Sequence, residues 1–142
     1  MEFQYYKNCL LQVKRGNSKG HLSKAKPIFM LSLIESIEKE LFVNNQFFYN
    51  ENFKRVYENN YKRFAPEEIL SDFCNPFFHL ESDRFWHIKW KIIPKPNKTS
   101  DYKLRTYVEY AYLDNALWDL LQDKDRRNAL RESILNFYFR QK

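Results

Sequence analysis

Between Pro27 and Glu40 the chain carries Ile28, Met30, Leu31, Leu33, Ile34 and Ile37, so a helix formed there is apolar over most of its circumference. Such a helix is stable in water only when other elements wrap it, and the rest of the sequence has to supply that shell. Pro27 suits the first helical position, because its restricted φ matches and its absent N–H would have had no partner. Glu35, Glu38 and Glu40 mark the side that reaches water. The expectation is a central buried helix.

Candidates for the shell lie on both sides of it. Phe3, Tyr6, Leu10 and Val13 recur at three- and four-residue steps, predicting a helix from Glu2 to Arg15 closed by Gly16. Asn50 is a predicted N-cap for a helix presenting Phe53, Val56, Tyr57 and Tyr61. Pro66-Glu67-Glu68 reads as a further helix start, ending before Asn75-Pro76. Asp114 is expected to cap a helix bearing Leu117, Trp118 and Leu121. Asp123 or Asp125 opens the last helix, with Leu130, Ile134, Phe137 and Tyr138 facing inward.

Extended structure is expected in three places. Gln46 to Tyr49 reads as a short strand or an aromatic plug. Phe77 to Leu80 and Phe85 to Trp90 flank a polar turn and predict a β-hairpin, and the alternation from Leu104 to Tyr112 predicts a strand. The sum is one α+β domain over residues 1–142, mainly helical, with a small central antiparallel β-hairpin or sheet. With 44% hydrophobic and 18% aromatic residues, a chain of this length can bury a real core. No apolar run approaches the roughly 20 residues needed to cross a bilayer, and Glu2, Lys7 and Lys14 stand where a signal peptide would be apolar. A soluble cytoplasmic protein without a membrane partner is expected.

The net charge of +6 is unevenly spread. Residues 1–27 set six cations against Glu2 alone, a net +5, and residues 84–105 set seven against Asp101, a net +6. The stretch between them carries ten acids against five bases, and the tail balances. Two segments therefore hold the whole basic excess. Brought to one face, they make a strip suited to a polyanion. The loop from Gly16 to Lys26 contains both glycines, with Lys19, His21, Ser23, Lys24 and Lys26, groups that suit a phosphate backbone. Pro94 to Ser100, with Lys95 and Lys98, forms a second basic loop.

Signs of catalysis are missing from the sequence. Cys9 and Cys74 with His21, His79 and His87 form no metal-ligand spacing, so neither a metal nor another cofactor is expected. There is no glycine-rich phosphate loop and no nucleophile elbow. The Glu67-Glu68 pair is accounted for by a helix start. The chain reads as a binding module and not as an enzyme.

Three stretches taken together resemble the sulfur-binding domain of phosphorothioate-dependent, HNH-linked restriction endonucleases. Lys24-Ala25-Lys26-Pro27-Ile28-Phe29-Met30-Leu31 is similar to the family's His-Lys-Pro followed by leucines. The run from Asn75-Pro76-Phe77-Phe78-His79-Leu80 through Asp83-Arg84-Phe85-Trp86 resembles its Pro-Phe-x-x-Leu-x-x-Asp-x-Phe-Trp signature. Ala111-Tyr112-Leu113-Asp114 through Leu117 and Leu121 to Phe139 is similar to its two closing helices. The resemblance spans nearly the whole chain.

That family reads DNA in which sulfur replaces one non-bridging phosphate oxygen. The resemblance implies a sulfur cavity walled by Asn75, Pro76, Phe77 and His79, with Lys26 as the basic residue at its rim. It implies DNA contacts from the loop between Arg15 and Lys24 (Arg15, Lys19, His21, Ser23, Lys24), joined by Lys26, Lys95 and Lys98. The expected partner is double-stranded DNA carrying a phosphorothioate linkage, together with a separate nuclease or helicase subunit of a restriction or defence system. The chain departs from the family pattern at Ala25, Asn75 and His79. Two other expectations follow from those departures: a protein-interaction subunit that keeps the fold, or a non-specific nucleic-acid binder.

Overall fold

In chain order, the computed structural model, which describes residues 2–18 and 20–140, runs α1 (Glu2–Leu11), β1 (Asn17–Ser18), β2 (His21–Leu22), α2 (Ala25–Glu38), α3 (Glu51–Phe64), α4 (Cys74–His79), a 3₁₀ turn (Leu80–Asp83), β3 (Trp86–Trp90), α5 (Asp101–Tyr107), β4 (Val108–Leu113), α6 (Asn115–Gln122) and α7 (Lys124–Phe139). The architecture is α+β and mainly helical. Two small antiparallel sheets pair β1 with β2 and β3 with β4. Among the described residues no helix is long and apolar enough to cross a membrane.

The apolar run is the central helix. Every residue of α2 from Ile28 to Ile34 is buried, and α3, α4, α6 and α7 pack around it while α1 lies on α6 and α7. Helix α2 begins two residues before Pro27. Its Ala25 N–H is met by the Ser23 hydroxyl at 3.1 Å. Phe29 is the hub of an aromatic cluster, with ring centroids of Phe53, Phe73, Trp86 and Phe77 at 5.3 to 6.0 Å. Asn50 caps α3 through Phe53 N–H, and Asp123 caps α7 through Arg126 N–H.

Several local expectations gave way to tertiary structure. Helix α1 stops at Leu11, and Gly16 closes nothing: the Lys14 N–H donates to Asp83 at 2.8 Å and the Arg15 Nε to the Ser23 carbonyl at 2.7 Å, so this stretch is held extended by distant partners. No helix follows Pro66. The Tyr57 hydroxyl donates to the Ser71 carbonyl at 2.7 Å and Phe73 is drawn into the aromatic core, which keeps residues 65–73 open.

The predicted hairpin is replaced by helix, 3₁₀ turn and strand. Pro76 sits in the first turn of α4, where its missing N–H costs nothing, and Arg84 reverses the chain with a left-handed φ of 80°. Strand β3 then pairs with β4, His87 facing Tyr112 and Lys89 facing Tyr110. Only the second half of the predicted 104–112 strand is extended; Ser100 caps α5 through Lys103 N–H and buries Leu104 first. Phe47 is both plug and strand, fully buried and exchanging backbone hydrogen bonds with Ala111 at 2.7 and 2.8 Å. Phe137 faces outward; Leu135 takes the buried place beside Ile134.

Candidate nucleic-acid interface

The stretch that follows α1, the N-terminus of α2 and helix α4 meet around a pocket of about 460 Å³. Lys14, Arg15 and Gly16 form one side, Ser23, Ala25 and Lys26 the second, and Ser71, Asn75, Pro76, His79 and Ser82 the third. The first two are neighbours in sequence and the third lies more than forty residues beyond them. Asp83 joins them: one oxygen accepts from Lys14 N–H at 2.8 Å and the other from Lys26 Nζ at 2.5 Å. Lys26 and Asp83 side chains are only 11% and 4% exposed, so this pair is an internal strut as well as a charge at the rim.

Arg15 is held on two sides. Its Nε donates to Ser23 O and its guanidinium lies 5.0 Å over the Tyr138 ring, whose own hydroxyl donates to Leu10 O at 2.6 Å. Burial pushes the Tyr138 phenol up to about 12 and pulls the Arg15 guanidinium down from its ordinary value. Among the described residues Arg15 and Lys14 make no ion pair within 4.0 Å. They are the cations of this pocket left for an external anion. His79 is an exposed residue whose ring is partly desolvated against the pocket wall; that desolvation first, and the Lys26 charge second, hold its imidazole below its usual range and so favour its neutral form. Pro76 contributes a buried ring to the wall.

A second, wider groove of about 1170 Å³ shares Arg15, Gly16 and Ser23 with the pocket. Asn17, Gly20, His21 and Leu22 of the β1–β2 ribbon border it, facing Tyr61, Glu67 and Glu68. Gly20 turns the ribbon with a φ of 82°. Lys24 crosses the groove to Glu67 at 3.4 Å and Glu68 at 3.2 Å. Burial opposes its charge, but the two carboxylates outweigh that and hold its ammonium above the usual lysine value.

The structure thus brings Arg15, Ser23, Lys26, Asn75, Pro76 and His79 to one pocket and places His21 and Lys24 on the adjoining groove. Phe77 is corrected: it is fully buried among Phe29, Phe73 and Trp86, because the helical turn points it away from Pro76 and into the core. Lys95 and Lys98 are absent from the wall; Lys95 pairs with Glu81 at 3.0 Å and the loop is tied to α4 through Thr99 and the Cys74 carbonyl. Lys19 lies outside the described residues. Lys14, Ser71, Ser82 and the counter-ion Asp83 were not singled out for this site in the sequence. The available signal was Asp83 itself, an acid in an aromatic run, but nothing local names Lys26 as its partner. The chain matches no family model and no curated protein.

Proposed function

We propose that this chain is a cytoplasmic DNA-binding module that recognises a phosphorothioate linkage in duplex DNA and serves a restriction or defence system together with a separate nuclease or helicase subunit. The observation that carries the proposal is one pocket lined by Pro76 together with Lys14, Arg15 and Lys26. Sulfur is larger and more polarizable than oxygen and a poorer hydrogen-bond acceptor. An apolar wall therefore costs it less hydration than it costs a phosphate oxygen, while the remaining charge still needs cations at the rim. Lys26 is already engaged by Asp83, so Arg15 and Lys14 supply most of that attraction. The N-terminus of α2 adds its partial positive charge.

The test is a gel-shift series on matched duplexes with and without one stereodefined phosphorothioate, at two salt concentrations. The sulfur-bearing duplex should bind tighter. Arg15→Ala should weaken binding to both and lower the salt slope by about one. Pro76→Ser should erode the preference for sulfur more than the total affinity. Equal losses on both duplexes for Pro76→Ser remove the apolar-wall account. The internal pairing of Lys24 and Lys26 favours one second reading, a protein-interaction subunit of a defence complex; absence of any shift at low salt supports it instead.

A further inference from the structure

The outer face of β3–β4 carries a row of rings that the core does not use. Ala111 points inward and is fully buried, so strand alternation turns Tyr110 and Tyr112 outward. The register sets His87 beside Tyr112 and Lys89 beside Tyr110, and the Phe47–Ala111 bridge brings Phe48 alongside. Neighbouring ring centroids lie 6.4 Å apart for Phe48 and Tyr110, 6.1 Å for Tyr110 and Tyr112, and 5.1 Å for Tyr112 and His87. The row is fixed in place from below. Asp114 holds His87 Nε2 at 2.6 Å with one oxygen and accepts the Tyr6 hydroxyl at 2.7 Å with the other. Tyr112 is 38% and Phe48 46% exposed.

A cross-strand pair of rings is enough to steady a two-stranded sheet. Here four rings follow one another along the outer face, Phe48 and Tyr110 at 71° and Tyr110 and Tyr112 at 61° to each other, so each offers its own face or edge to a flat partner. Lys89 Nζ stands 5.5 Å over the Tyr110 ring, and its nearest carboxylate, Glu109, is 3.8 Å away with both side chains about half exposed, a weak pairing that an external phosphate can displace. Beside the row lies a groove of about 660 Å³ lined by Gln46 and Asn115, which carry amides, and by Lys95, whose ammonium is paired with Glu81 at 3.0 Å. Strand β3, with His87 and Lys89, belongs to the chain's second basic segment, residues 84–105 with net +6, while Tyr110 and Tyr112 on β4 lie just beyond it. Rings for flat partners, amides for polar edges and cations for a repeating negative charge call for an unpaired strand of nucleic acid, whose bases are free to stack; in a duplex they are not.

We propose that this face binds single-stranded DNA by stacking bases on Tyr112, Tyr110 and Phe48, at a site separate from the Pro76 pocket. The experiment is fluorescence anisotropy of the full chain with a short labelled oligothymidylate at low ionic strength. Wild type should bind. Tyr112→Ala should lose about tenfold or more in affinity and Tyr112→Phe should keep it, because the stacking surface survives. Lys89→Glu should weaken binding and flatten its salt dependence, and it carries the test if Tyr112→Ala melts early. Arg15→Ala should leave oligothymidylate binding unchanged, which separates this site from the duplex-reading pocket. No binding by wild type, equal binding by Tyr112→Ala and Lys89→Glu, or loss on Arg15→Ala overturns the proposal.

Discussion

The Pro76 pocket and the outer sheet face offer a ligand similar groups, cations beside rings, yet they hold them differently. At the pocket, Lys26 is buried against Asp83 and Arg15 is seated on Tyr138 and bound to a backbone carbonyl, and on the groove beside it Lys24 is held between Glu67 and Glu68. On the sheet, Lys89 has one distant carboxylate and the rings look onto water. The pocket's charges thus double as the fastening between α1, α2 and the 3₁₀ turn, whereas the sheet's groups add little to the fold they stand on. A cation that is part of the architecture is positioned in advance but is costly to change; a surface cation is cheap and is positioned only by its ligand.

The largest test of that contrast is on stability. Asp83→Ala leaves the Lys26 ammonium buried without a partner and should destabilise the fold by about 3–5 kcal/mol, read by thermal or denaturant melting, while Tyr112→Ala should stay within about 1 kcal/mol. Comparable losses for the two would erase the distinction.

A smaller effect is expected in binding. Glu68→Gln frees Lys24 from the stronger of its two partners and should tighten duplex binding about two- to fivefold while leaving oligothymidylate binding alone. An unchanged or weakened duplex affinity would mean that Lys24 does not face the DNA.

Smallest is the effect of pH. The His79 imidazole is held below its usual range, so it is neutral in the free pocket near pH 7, and a bound anion favours its protonated form. Duplex affinity should therefore rise as pH falls below the ordinary imidazole value, with a flat profile for His79→Ala. Stability should move the opposite way: in that window the unfolded chain takes up the proton before the folded one does, so the fold weakens on acidification. A wild-type affinity that ignores pH would remove His79 from the pocket's chemistry.

What could be seen in the residues beforehand divides along the same line as the two faces. The buried α2, the Asn50 cap and the Asp123 cap were legible because each is written within one or two turns of chain. The Phe77–Trp90 segment misleads for the same reason: its local signature of two aromatic runs about a polar turn suits a hairpin, and only the partner strand β4 shows that β3 pairs elsewhere. At the site, a resemblance of motifs marks Lys26, Asn75, Pro76 and His79, whereas Lys14 is marked only as one cation of a basic segment and Ser82 by nothing that ties it to a site.

By itself, then, the amino-acid order determined that a greasy helix would sit at the centre, where most of its shell would begin, and that the positive charge would gather in two blocks. Those are consequences of periodicity and of side chains acting on their own backbone. Only the folded chain decided that Asp83 would meet Lys26 across 57 residues, that Glu67 and Glu68 would take Lys24, and that Tyr112 would stand beside His87. Such pairings depend on how helices and strands pack against one another, and the energy that selects them comes from the shared core, which no short stretch of sequence contains.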